Sequence, residues 1–299
     1  MPSFARSLRL PAVVALGAAA LALCACSPLT AFANLTPTDP SRKVASDVSF
    51  GPDPRQALDV YAPADGQGPW PVAVFFYGGS WEDGRRQDYG WVGRALAAEG
   101  FLTIVPDYRL YPQVRYPAFL EDGAEAVAWA AQNAGRFGGD PGRIVLSGHS
   151  AGAYNAVMLA LDEDYLKSAG VDPQRVRAVA GLAGPYDFLP LTGEITPKVF
   201  GQAYDLSATQ PVAFAGPESP PAFLASGAQD EVVEPKDTEI LAQRLEQAGA
   251  AVETRIYPDL GHAGILLALS RPLRGRAPVL DDMADFLRRE SGAAARKAR

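Results

Sequence analysis

The chain has 299 residues, 48% hydrophobic and 20% charged, enough apolar material for a sizeable core without disulfide or metal support. Its formal net charge of −7 disfavours nucleic acid and anionic membrane surfaces as main partners, since both recruit basic patches; neutral substrates are unaffected. Both cysteines, Cys24 and Cys26, stand near the N-terminus, which excludes a disulfide framework and a cysteine-ligated metal in the rest of the chain.

Arg6 and Arg9 precede an apolar run over residues 10–23, the length of a signal-peptide core and short for a bilayer span. The run ends Leu23-Cys24-Ala25-Cys26-Ser27, which resembles the bacterial lipobox. In that pattern a Leu stands three residues before the lipidated Cys and a small residue directly before it. Cys26 fits; Cys24 fits less well, because Leu23 would take the small position. A lipid on Cys26 would tether the protein to a membrane leaflet with no transmembrane helix. The expected location is the bacterial cell envelope, in the periplasm or at the outer membrane. A plain cleaved secretory signal and an uncleaved anchor are the alternatives. Residues 27–45 carry Pro28, Pro37, Asp39 and Pro40 with little periodicity and read as a linker.

From residue 46 the chain alternates strands and helices. Residues 46–50 and 57–62 are short strands, and 71–77 is an almost unbroken apolar run, the mark of a strand buried on both faces. A helix over 91–99 stops at Gly100, and 101–106 is a second buried strand. Residues 117–133 place Leu120, Ala124, Val127, Ala128 and Ala131 at helical spacing. A strand over 143–147 leads to a helix over 150–161. Strands over 176–183, 222–226 and 252–257 and helices over 238–248 and 280–290 complete the pattern. Strand alternating with helix predicts an α/β fold with a mostly parallel sheet and helices on both faces, one domain over 46–292. A basic tail follows at 293–299. Residues 184–221, rich in Gly and Pro between two strands, form either a cap-like insert over the site or a long surface loop, and such loops are usually functional.

Gly148-His149-Ser150-Ala151-Gly152 falls at the junction of the 143–147 strand and the 150–161 helix. A Ser on a sharp strand-to-helix turn projects its hydroxyl above the sheet, and small neighbours let such a turn form. The five-residue pattern arises readily by chance, and its bland reading is a tight turn of any doubly wound fold; the strand before it and the helix after it point to a nucleophile. A serine nucleophile needs an imidazole to take its proton. The chain has two histidines. His149 adjoins Ser150 on the turn and is badly placed to face it, so it is expected to line the pocket. That leaves His262, in a loop after the 252–257 strand, where active sites of parallel sheets are built. The acid that orients it is expected at Asp230, just past the 222–226 strand, with Glu231 as the neighbouring alternative and Asp259 less favoured for its closeness to His262. Negative charge developing on a substrate oxygen needs preorganised donors. The Ala151 N–H is one, and the loop after the 71–77 strand, with Gly78 and Gly79, would supply the others.

At these residues the chain resembles the carboxylesterases of the α/β-hydrolase fold. Within that fold it is similar to the hormone-sensitive-lipase-like, feruloyl-esterase-like (BD-FAE) and kynurenine-formamidase-like hydrolases. Those families carry His-Gly-Gly-X-Trp after the third strand, where this chain has Tyr77-Gly78-Gly79-Ser80-Trp81. Asp107-Tyr108-Arg109-Leu110, Pro117-Ala118, Asp122 and the run from Gly138 to Ile144 also match, as does the order Ser150, Asp230, His262. The resemblance covers about residues 46–290. It implies oxyanion donors at the N–H groups of Gly79, Ser80 and Ala151, and substrate contacts at Tyr77, Trp81 and His149. Tyr77 stands in place of the family's His, which organises the loop, and Ser80 in place of a third Gly.

The reading that results is a carboxylesterase working through Ser150, His262 and Asp230 on a small-molecule ester, with no cofactor and no metal implied. An amide hydrolase of the same fold uses the same triad. A catalytically inactive binding protein is the rival from another class.

Overall fold

The apolar runs of the sequence become the middle of one sheet. The structure, a computed structural model, describes Phe32 and residues 35–292; the signal-like segment, Cys26 and the basic tail lie outside the described residues. Strands β1 (Ser41–Ser49), β2 (Ala57–Pro63), β3 (Trp70–Phe76), β4 (Leu102–Pro106), β5 (Gly139–His149), β6 (Val176–Leu182), β7 (Ala222–Gly227) and β8 (Val252–Tyr257) form one eight-stranded sheet in the order β1-β2-β4-β3-β5-β6-β7-β8. The β1–β2 and β2–β4 pairs are antiparallel and the rest parallel. Val72 to Phe76 of β3 and Ile144 to Leu146 of β5 are fully buried side by side, which is why both read as continuous hydrophobic runs.

The helices in chain order are α1 (Gly90–Ala98), α2 (Ala118–Asn133), α3 (Ala151–Leu161), α4 (Glu163–Ser168), α5 (Thr196–Phe200), α6 (Pro235–Ala248), α7 (His262–Leu267) and α8 (Val279–Glu290). Helices α1 and α8 touch each other across one face of the sheet. Helices α2 and α3 pack together against the other face, and α6 covers β7 and β8. This is the mostly parallel sheet flanked by helices that the alternation of elements predicts, and it fits the α/β-hydrolase fold that the resemblance implies. Among the described residues no helix is long and apolar enough to cross a membrane.

One boundary needs correction. Residues 41–45, read as the end of the linker, belong to β1, which starts at Ser41. The strand is a polar edge: Lys43 pairs with Asp59 at 2.8 Å, and Arg42 Nε donates to the Pro63 carbonyl at 3.1 Å. Its register slips between Lys43 and Ala45 and again between Ala45 and Val48, which erases the two-residue period by which a strand is recognised.

Candidate active site

The turn at Ser150 is set by packing that admits no side chain on either flank. A Cβ on Gly148 would stand 2.1 Å from the Gly152 carbonyl oxygen, and one on Gly152 2.1 Å from that of Phe76. With both positions bare, α3 can start directly against β3. Ser150 then takes φ 56° and ψ −127°, a conformation that costs a non-glycine residue about 1–3 kcal/mol and lifts its side chain off the sheet. The Ser150 N–H donates to the Leu182 carbonyl of β6 at 2.9 Å, fixing the strained residue to its neighbouring strand.

The sheet brings the expected partners to this point. His262 opens α7 after β8, and its Nε2 lies 2.9 Å from Ser150 Oγ. Its Nδ1 lies 2.8 Å from Asp230 Oδ2, in the turn after β7. A carboxylate only accepts, so Nδ1 carries the proton and Nε2 is left to accept from the Ser150 hydroxyl. Asp230 Oδ1 takes the N–H groups of Val232 and Val233, both at 2.9 Å. Burial alone would raise this carboxyl; the hydrogen bonds from His262 and the two amides outweigh it and hold Asp230 below the ordinary carboxylate range. Glu231 and Asp259, the alternatives, are exposed. The geometry therefore selects Asp230.

The loop after β3 turns through three successive left-handed residues, Gly79 (φ 132°), Ser80 (φ 54°) and Trp81 (φ 59°). The Gly79 carbonyl accepts the N–H groups of Glu82 at 3.0 Å and Asp83 at 2.9 Å, which closes the turn. Ser80 and Ala151 line the cavity beside Ser150, whereas Gly79 does not. The Ala151 N–H, at the first position of α3, has no intrahelical acceptor and faces no competition from the helix.

Two expected substrate contacts lie elsewhere. Tyr77 is fully buried beneath the loop. Its hydroxyl donates to Asp107 Oδ1 at 2.8 Å and accepts from Arg55 Nη2 at 2.8 Å, and its ring stacks between Tyr89 and Tyr108. Arg55 also reaches the Gly84 carbonyl at 2.7 Å and so pins the loop's far end. Tyr77 thus shapes the loop and does not touch the cavity.

His149, the other correction, is buried under His262 with ring centroids 4.8 Å apart. Its Nε2–H donates to the His262 backbone carbonyl at 2.9 Å, leaving Nδ1 buried with no partner. Burial, then the nearby His262, push His149 down to about 3, so it stays neutral. Neither placement was legible locally, because each depends on partners distant in sequence.

Trp81, the third of these residues, lines the cavity. Its Nε1–H donates to Asn155 Oδ1 of α3 at 3.1 Å, and its ring meets Tyr154 and Phe200 edge-on. The cavity holds about 500 Å³ and is walled largely by residues 185–196 of the insert. The insert is tied down by Asp237 Oδ1, which accepts from Tyr186 N at 3.1 Å and Asp187 N at 2.9 Å, and by Phe200, fully buried among aromatic rings. Asp237 and Asn155 were not anticipated from the sequence, where nothing marks a helical Asp or Asn as a loop anchor. Among the described residues no cluster of three or more His, Cys, Asp or Glu side chains is arranged to hold a metal.

A model of the BD-FAE family matches residues 58–245, more than half of the chain and inclusive of Ser150 and Asp230. The chain belongs to the BD-FAE family. This BD-FAE protein is 28% identical over 278 residues to a probable isoprenylcysteine alpha-carbonyl methylesterase of Oryza sativa subsp. japonica, covering 86% of this chain and 67% of the rice protein. It is 31% identical over 248 residues to esterase LipC of Mycobacterium tuberculosis, covering 74% of this chain and 60% of LipC. The chain thus spans about two thirds or less of the length of these relatives. Esterase B from Lactobacillus rhamnosis superposes with a TM-score of 0.77 at 20% identity, over 94% of this chain and 96% of that one, which establishes the shared fold. The BD-FAE protein is accordingly an enzyme of the esterase class of this fold.

Proposed function

We propose that this protein is a carboxylic-ester hydrolase acting through a Ser-His-Asp triad and an acyl-enzyme. The observation that carries the proposal is the unbroken relay Ser150 Oγ to His262 Nε2 (2.9 Å) and His262 Nδ1 to Asp230 Oδ2 (2.8 Å). Ser150 Oγ attacks the ester carbonyl as its proton passes to His262 Nε2. Asp230, held ionised, orients the ring and stabilises the imidazolium that forms. Negative charge on the carbonyl oxygen falls to the N–H groups of Ala151 and Ser80, with Gly79 shaping the turn that presents Ser80. His262 then returns the proton to the departing alcohol. Water, deprotonated by the same imidazole, cleaves the acyl–Ser150 ester and regenerates the hydroxyl.

A fluorophosphonate probe should form one adduct, on Ser150, and Ser150→Ala should lose both labelling and turnover of p-nitrophenyl esters by about 10⁵-fold or more while keeping its melting profile. Labelling at another residue, or substantial activity remaining in the Ser150→Ala variant, would refute the assignment. The lipobox-like Cys26 supports a second element of the proposal, that the enzyme works in the bacterial cell envelope on a lipid anchor.

A further inference from the structure

The loop that carries His262 leaves β8, the last strand of the sheet, and its main chain is tied in two directions. The Gln229 N–H donates to the Leu260 carbonyl at 3.0 Å, which joins the loop to the turn of Asp230. In the other direction His149 Nε2–H donates to the His262 carbonyl at 2.9 Å. Among the described residues this is the one hydrogen bond that joins the main chain of the loop to the Ser150 turn. His149 is bonded covalently to Ser150, whereas His262 stands 112 residues further along the chain. One residue thus connects the nucleophile's own backbone to the backbone of its base.

The His149 ring has little room to move. It packs against the His262 ring, with centroids 4.8 Å apart. Gly78, at the root of the loop after β3, also closes on it: a Cβ there would stand 3.2 Å from His149 Nδ1 and 2.9 Å from Ser150 Cβ. Nδ1 itself is buried with no partner. A leucine of similar volume would fill this space and orphan no nitrogen, so an imidazole weakens the core unless its N–H does something an apolar group cannot. That something is the bond to the His262 carbonyl. Burial keeps the ring neutral, so the bond is made without setting a positive charge against the imidazolium that the proposed mechanism forms on His262.

We infer that His149 is a positioning residue, a brace whose hydrogen bond to the His262 carbonyl holds the imidazole where Nε2 meets Ser150 Oγ. The inference rests on the ester-hydrolase reading of the triad. His149 is not among the residues that line the cavity, so it adds nothing to substrate binding. Without the bond the first turn of α7 is free to drift from the Ser150 turn, and proton transfer falls steeply with small displacements of the base. The effect therefore belongs in kcat and in the rate at which Ser150 is phosphonylated, and KM is left alone.

Three variants of the full chain separate the donor from the volume it fills. Glutamine carries an N–H to the place of Nε2, asparagine holds one a bond nearer the main chain, and leucine has none. Rates are taken per active site titrated with a fluorophosphonate, so that unfolded protein does not count. His149→Leu and His149→Asn should each lower kcat for a p-nitrophenyl ester and the rate of Ser150 phosphonylation by about tenfold or more, with KM within about twofold, and His149→Gln should recover all but about threefold. Wild-type kcat in either His149→Leu or His149→Asn, or a loss in His149→Gln as deep as theirs, would overturn the inference while leaving the hydrolase reading intact. If no variant folds, NMR of the wild type with isotope-labelled histidine decides: a coupling through the hydrogen bond from His149 Nε2 to the His262 carbonyl supports the brace, and an Nδ1–H tautomer of His149 overturns it. No turnover of any ester together with an unlabelled Ser150 in the wild type would overturn the hydrolase reading, and the inference with it.

Discussion

Asp230 and Glu231 are adjacent in sequence, and their environments assign them opposite fates. Asp230 is buried and accepts from His262 and two amides, whereas Glu231 is exposed to water. Asp230→Asn should therefore cut kcat by about 10³- to 10⁴-fold, and Glu231→Gln should change it by less than about twofold, in steady-state assays on a p-nitrophenyl ester. His149 makes a different kind of residue-scale prediction. Folding lowers its value from 6.5 to about 3, so between those pH values the unfolded chain binds a proton that the native protein does not. Stability must then rise with pH across that window, by up to about 1.4 kcal/mol per pH unit, and fall on acidification below 6.5. Urea unfolding from pH 7 to pH 4 should show this extra slope in the wild type and lose it in His149→Gln, whose amide can still donate to the His262 carbonyl. Identical slopes would exclude a buried neutral imidazole. Among these residues the sequence was informative where choice was narrow: with two histidines and one adjoining the nucleophile, His262 followed by elimination. It was silent on what His149 does, because the carbonyl it reaches lies 113 residues away.

At the scale of elements, the most readable feature was the β5–Ser150–α3 junction, since a buried strand, a small-residue turn and a helix are all written in consecutive residues. The loop after β3 was readable as a motif but not as an object. Its support comes from Arg55 and Asp107, neither of which belongs to the motif. Tyr77 takes the place of the family's His and performs an organising task by another route, through one hydroxyl shared between a guanidinium and a carboxylate. Tyr77→Phe should leave both partners short of a hydrogen bond, lower stability by about 1–3 kcal/mol, and reduce kcat about tenfold with little change in KM, since the loop it supports acts on the transition state. Thermal melts and initial rates would check the two effects separately; a normal kcat in a destabilised protein would confine Tyr77 to a packing role. Strand β1 shows the opposite limit. Its second half falls within the strand read over 46–50, but its polar first half, where the register slips, carries no periodic signature, and only pairing with β2 defines it.

For the whole molecule, the parallel strands deliver Ser80, Ser150, Asp230 and His262 to one rim of the sheet, while the chain enters along the antiparallel edge at β1. The first described strand and the candidate triad thereby lie in different parts of the fold. If the proposed anchor on Cys26 holds the enzyme at a membrane, Cys26→Ala should move it from the membrane fraction to the soluble fraction with kcat/KM unchanged on a soluble ester. Unaltered fractionation would argue for a cleaved secretory signal or an uncleaved span.

The bare flanks of Ser150 also bear on how such an enzyme can change over generations. A library saturating Gly148 and Gly152 should return glycine alone among active clones, because the first added carbon collides with main chain that has no rotamer to yield. The cavity-facing Thr192 and Leu189 are exposed side chains on a separate segment, and many replacements there should survive selection. The lineage can thus exchange what it recognises by small steps in the insert, while the bond-breaking apparatus is inherited whole or lost at once.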